Sequence, residues 1–330
     1  MKAGHDSVVQ LLEPVLDTYM DSAVGLVGCR ASGLARPSCE YDVVLIGTER
    51  LPPNSIKVGS EFFDLFFLTE EEAAKPPAVE LAIALSSVKP VRDTTLILSS
   101  CSTAARDSFP QSCQRSADER LASSLKAMGR AEEAVSRGAF ADADFWLASA
   151  GYDFAYAWLA AAKTIPSPSH LLSQLRQHSH GQPGMFEAFS GSVGLKGASR
   201  RSCEERLDSL GVIYDLKEAP SPGRDTPSPE SVRTSYELLR AKSMATQRAS
   251  QPADSYCFLG IEMVRSLPQV MRNRLGRKEG SDVVSSLTGG DGGLLAPAVV
   301  KTLGIGRPPD AVRKGLEALR AQVSALVRNG

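Results

Sequence analysis

Residues able to do chemistry concentrate in one short stretch. Gly25-Leu26-Val27-Gly28-Cys29-Arg30-Ala31-Ser32-Gly33 is followed, after Cys39, by Glu40-Tyr41-Asp42-Val43-Val44-Leu45-Ile46. Alternate residues of a strand project from the same face, so Glu40 and Asp42 point together. Two carboxylates side by side among apolar residues are costly unless a cation neutralises them. Hard oxygen ligands select magnesium or manganese for that task. The glycine turn at Gly28, Cys29 and Arg30, opening a short helix, offers backbone N–H groups to an anion, the other half of a nucleoside triphosphate site. A third acid, Asp64, lies in Glu61-Phe62-Phe63-Asp64-Leu65-Phe66-Phe67-Leu68. There it shares a face with Phe62 and Phe66 and has no cheap structural role; Glu61 falls on the opposite face.

The elements that must position these residues follow from periodicity. Val8, Leu12, Val15, Leu16 and Tyr19 predict a helix over Ser7 to Tyr19, bent at Pro14. Strands are expected at Ala23 to Val27, Tyr41 to Ile46, Phe62 to Leu68 and Thr94 to Leu98. Glu70 to Ser87 reads as a helix interrupted by Pro76 and Pro77. Residues 1–110 thus form an α/β unit with a small mixed sheet. Ser99 to Ser116, serine-rich with Pro110, reads as an interdomain loop. Beyond it the period is helical: Asp118 to Arg137, Ala139 to Ala162, Ser202 to Leu210, Pro229 to Gln247, Ser255 to Leu275 and Asp310 to Val327. The helix from Ala139 carries apolar residues round most of its circumference and belongs at the centre of a bundle. The expected organisation is an α/β domain over 1–110 and a helical bundle over 111–219. A Pro/Ser-rich linker (Pro220 to Pro229) with a helical extension occupies 220–330.

Gly28-Cys29, the following gap, and Glu40-Tyr41-Asp42-Val43 resemble the signature of the polymerase-beta-like nucleotidyltransferase superfamily. Its minimal and aminoglycoside-modifying branches, which carry a helical bundle after the catalytic domain, are the most similar. The resemblance implies an enzyme that moves a nucleoside monophosphate from ATP or another NTP to an acceptor hydroxyl and releases pyrophosphate. It implies Glu40, Asp42 and Asp64 as catalytic ligands of Mg2+ or Mn2+, and Gly28, Cys29 and Arg30 as the phosphate turn. Cys29 stands where the family has Ser or Gly, and Glu40 where it has Asp. The acceptor stays open among a small polyol, a protein hydroxyl and an RNA end. Two other readings are a catalytically silent nucleotide-binding or interaction module, and a nucleic-acid-binding protein using the basic helical part.

Other signals are weaker. His170, His178 and His180 flank Arg176, but too few residues separate the arginine from either later histidine for an Arg-x-His ribonuclease motif. Tyr152-Asp153 reads as a satisfied acid in the central helix. Leu303-Gly304-Ile305-Gly306-Arg307 is similar to the glycine turn of helix-hairpin-helix modules, but for so short a match an ordinary helical hairpin is the favoured reading. The composition of the 330 residues, 42% hydrophobic and 23% charged, is that of a globular chain. Its 37 basic residues nearly cancel its 38 acidic ones, with acids in excess over 1–110 and bases beyond. Six scattered cysteines without a Cys-x-x-Cys pair read as reduced thiols of a cytoplasmic protein. No apolar run is long enough to span a membrane, and the acidic amphipathic start is unlike a signal peptide.

Overall fold

The computed structural model describes residues 10, 12–13, 16–48, 54–74, 79–180, 182–218, 228–249, 251–276, 280–289 and 293–329. The chain divides into two compact units, Met1–Ser112 with Pro222–Leu238, and Cys113–Ser221 with Leu239–Gly330. The sequence leads to three contiguous parts, 1–110, 111–219 and 220–330; here Leu239–Gly330 falls with the second unit and Pro222–Leu238 with the first, a long-range association that no local pattern encodes.

The first unit is built on strands β1 (Ala23–Val27), β2 (Tyr41–Gly47), β3 (Asn54–Val58), β4 (Glu61–Thr69) and β5 (Lys89–Arg92). They lie in the order β3-β4-β2-β1-β5, with β2 and β4 parallel and every other neighbouring pair antiparallel. Side-chain alternation sorts the residues into two layers. On one face Val24, Leu26, Tyr41, Val43, Leu45, Phe63, Leu65 and Phe67 form a core that also buries Leu12 and packs Leu16 and Tyr19. On the other, Val27, Val44 and Ile46 pack with Leu85, Val88, Leu98 and Ala105. Asp42 and Asp64 alternate onto this second face. Of the helix expected over Ser7 to Tyr19, residues 7–9, 11, 14 and 15 lie outside the described residues, and 16–18 are helical.

The connections are α1 (Gly28–Ser32), α2 (Glu70–Ala74), α3 (Val79–Leu85) and α4 (Ile97–Asp107); Pro76 and Pro77 lie outside the described residues. Three expectations are corrected here. Thr94 to Leu98 is not a strand: the fifth strand is Lys89–Arg92, Leu96 is left-handed (φ 59°), and Ile97 begins α4. The Asp93 carboxylate ends the strand possibility by accepting from Leu98 N (3.0 Å), Ser99 N (2.8 Å) and Ser99 Oγ (2.6 Å), satisfying first-turn amides of that helix. Ser99 to Ser116 is not a loop but lies in α4 and α5 (Phe109–Ser136). Its hydroxyls bond back to the preceding turn, Thr103 to Ser99 O (3.0 Å) and Ser108 to Ala104 O (2.9 Å). Pro110 sits in the first turn of α5, where its missing N–H costs nothing. β3, finally, is a strand the sequence reading omits. It is an edge strand whose Ile56 and Val58 pack inward while Ser55 and Lys57 face the other way.

The second unit is helical. It comprises most of α5, α6 (Phe140–Ala161), α7 (Leu171–His178), α8 (Pro183–Ser192), α9 (Arg200–Glu218), α11 (Pro252–Leu275), α12 (Val283–Thr288), α13 (Pro297–Thr302) and α14 (Pro309–Asn329). α10 (Pro229–Arg248) is shared, its first part in the sheet unit. α6 is buried along almost its whole length, with Phe145, Phe154 and Leu159 fully enclosed, as a helix apolar all round must be. The α/β class with a helical region expected from the sequence is therefore the observed one. The linker expected over 220–229 falls mostly on residues outside those described. Among the described residues no helix is long and apolar enough to cross a membrane.

Candidate functional site

Parallel pairing of β2 and β4 sets Asp42 directly beside Asp64. Glu40 lies just before β2, two residues from Asp42, and completes the group. One carboxylate oxygen from each of Glu40, Asp42 and Asp64 lies within 4.8 Å of the others, and all three residues are half-buried. Three negative groups this close repel one another, and the repulsion persists unless a cation or a proton intervenes. The donor set consists of hard carboxylate oxygens only, which fits magnesium or manganese and not a softer metal.

The glycine turn lies against this cluster. β1 pairs with β2 so that Val27 opposes Asp42, and the chain then turns at Gly28 with φ +68°. A Cβ there would lie 2.0 Å from Asp42 Oδ2 and 2.8 Å from its Cγ. Glycine is thus required twice, by the left-handed backbone and by the carboxylate in contact with it. This cradle brings turn backbone and acid into direct contact.

The other turn residues are used differently. Cys29 is buried, and its thiol is hydrogen-bonded to the Cys39 thiol. That bond, then burial, then the neighbouring Cys39, Glu40 and Asp42 push the Cys29 thiol well above its ordinary range. Arg30 turns its guanidinium onto the strand entry: Nε donates to Cys39 O (3.1 Å) and Glu40 O (3.0 Å). The guanidinium also lies over the Tyr41 ring at 3.7 Å and pairs with Glu61 at 3.6 Å. Arg30 therefore fixes the backbone that carries Glu40. Arg92 plays a similar part elsewhere, donating to the carbonyls of Leu16, Tyr19 and Ser22.

Asp64 has a partner that sequence reasoning did not find. Ser55 Oγ donates to Asp64 Oδ1 at 2.6 Å, and Ser235 Oγ, from α10, donates to Ser55 Oγ at 2.9 Å. Ser55 opposes Asp64 across the β3–β4 pair, but recognising that required finding β3. Nothing local to Ser235 marks it.

Several residues of the weaker signals have partners within the chain. Asp153 pairs with Arg120 at 3.0 Å, Arg176 with the buried Asp254 at 2.7 Å, and His178 Nε2 with Thr164 Oγ1 at 2.9 Å. In the 303–307 turn, Gly306 N and Arg307 N both donate to Asp144 Oδ2 at 2.8 Å, and Arg307 Nε to Asp144 Oδ1 at 2.7 Å. The anion held by this turn is a buried carboxylate of the chain itself, so those amides are not presented to a nucleic-acid phosphate.

No protein-family model and no curated protein matches the chain. Among solved structures it is similar to a nucleotidyltransferase-like protein from Exiguobacterium sibiricum, at 10% identity over 81% of this chain and 80% of that one, with a TM-score of 0.35. A likeness that slight carries no inference about fold or chemistry.

Proposed function

We propose that the chain is a metal-dependent nucleotidyltransferase, transferring a nucleoside monophosphate from ATP or another NTP to an acceptor hydroxyl with loss of pyrophosphate. The observation that carries the reading is the convergence of Glu40, Asp42 and Asp64 within 4.8 Å, on a sheet face touched by the Gly28 turn. Glu40, Asp42 and Asp64 would hold the divalent ions. When bound, Mg2+ or Mn2+ supplies charge neutralisation at the phosphates and lowers the pKa of the acceptor hydroxyl.

The remaining work belongs to the protein. The backbone at Gly28 and Cys29 cradles the triphosphate beside Asp42, and glycine lets it approach. Arg30 contributes through its main chain, and its guanidinium keeps the Glu40 segment in place. Asp64 receives the acceptor proton. The acceptor is a small polyol, a protein hydroxyl or an RNA end.

The test is a screen of pyrophosphate release, four NTPs against polyols, hydroxyl-bearing peptides and RNA 3′ ends, with Mg2+ or Mn2+. Release that needs both metal and one acceptor class supports the reading. Absence of release together with absence of Mn2+ binding refutes it. A second reading, a silent nucleotide-binding module, is favoured by one observation: the inward Cys29 thiol and the engaged Arg30 leave these side chains no role at phosphate. It predicts ATP binding without pyrophosphate release.

A further inference from the structure

We propose that Ser55, supported by Ser235, is a positioning residue for Asp64, so that a segment far along the chain completes the candidate metal site. The proposal rests on the reading of Glu40, Asp42 and Asp64 as metal ligands. A terminal carboxylate torsion is broad and two-fold, and repulsion from Glu40 and Asp42 would swing an untethered Asp64 outward. Ser55 Oγ opposes that swing by donating to Oδ1 at 2.6 Å, a short bond of the charge-assisted kind.

The hydroxyl is itself held. Ser235 Oγ lies 2.9 Å from both Ser55 Oγ and Ser231 O, so its single proton is shared between two acceptors. Ser231 Oγ accepts from the Ser55 backbone N–H at 2.9 Å, an amide on the open edge of the sheet. Ser231 and Ser235 are one helical turn apart on α10 and therefore reach β3 from one face. Nearby charges are paired: Lys57 Nζ meets Glu237 at 3.0 Å and Glu61 meets Arg30 at 3.6 Å. The arrangement has the form of outer-shell support for a ligating carboxylate, which orients a metal ligand without touching the metal.

The experiment titrates the full-length protein with Mn2+, reading free Mn2+ by electron paramagnetic resonance, for wild type, Ser55→Ala, Ser55→Thr and Asp64→Asn. Metal-free melting curves are recorded alongside. The expected result is Mn2+ affinity lowered about tenfold in Ser55→Ala, restored in Ser55→Thr, and lost further in Asp64→Asn, with coincident metal-free melts for the two Ser55 variants. If Asp64→Asn loses Mn2+ while Ser55→Ala binds like wild type, or if Ser55→Thr fails to restore binding, the positioning role is overturned and the metal reading stands. If Asp64→Asn binds Mn2+ like wild type, the metal reading itself falls, and this role with it.

Discussion

Asp42→Asn should make the metal-free protein more stable and the metal-loaded protein less so. Asp42 has an oxygen within 4.8 Å of an oxygen on each of Glu40 and Asp64. At that separation two unit charges repel by ~0.9 kcal/mol with water-like screening and by ~3.5 kcal/mol at an effective dielectric of ~20. Groups that keep this much exposure lie nearer the water-like limit, so removing two such repulsions should stabilise by about 2–3 kcal/mol. For a unit of this size that is a rise of several degrees in Tm. An added divalent ion reverses the order. On the proposed reading, a hundredfold excess over Kd stabilises wild type by ~2.7 kcal/mol, and the variant, lacking one of the three proposed ligands, gains little. Thermal melts of both proteins with and without Mg2+ should therefore cross. A variant less stable than wild type in the absence of metal, or one showing the wild-type shift with Mg2+, would refute the assignment of this cluster as a cation site.

Other consequences follow from the same geometry. Gly28→Ala imposes a left-handed alanine, costing about 1–2 kcal/mol, and drives the Asp42 side chain off its rotamer, about 1 kcal/mol more; urea unfolding should show the sum and Mn2+ titration a weakened site. Cys29→Ser should leave Mn2+ affinity and pyrophosphate release unchanged, because the side chain faces the Cys39 thiol and not the turn opening; a gain in turnover would show that the side chain reaches the phosphate. Asp144→Ala strands Arg307 and two amides in the helical unit, and should destabilise by about 3–5 kcal/mol in urea unfolding.

Much of the site was legible because its logic is local. Residues 40 and 42 share a strand face by the pleat alone, and Gly28 announces a turn that other residues resist. Asp64 among phenylalanines was conspicuous because a carboxylate in an apolar strand demands a reason, and alternation correctly separated Phe63, Leu65 and Phe67, now buried, from Phe62 and Phe66. The helical class of the second unit was likewise carried by period. Errors arose where local composition was ambiguous. Serines in α4 and α5 read as loop because a hydroxyl can satisfy either a turn or the preceding helical carbonyl. Ile97 and Leu98, apolar after a short polar run, read as a strand until the Asp93 cap set the helix start.

Tertiary structure decided what lies between distant residues. Which strand stands beside β2, and in what register, is fixed by burial on two faces at once, and only that register brings Asp64 level with Asp42. The sequence assigned Gly28, Cys29 and Arg30 to a phosphate turn through their backbone amides, and packing alone decided that the Cys29 thiol turns to Cys39 and the Arg30 guanidinium to the carbonyls of residues 39 and 40. The glycine turn at 303–307 was visible, yet whether its amides faced an external phosphate or the Asp144 carboxylate depended on where α6 lies. The hydroxyl reaching Asp64 through Ser55 comes from Ser235, 180 residues from Ser55 in sequence. A strand or helix is specified by neighbours within a few residues. A hydrogen bond across such a distance exists only after the chain has folded and the entropy of closing the loop has been met by burial elsewhere.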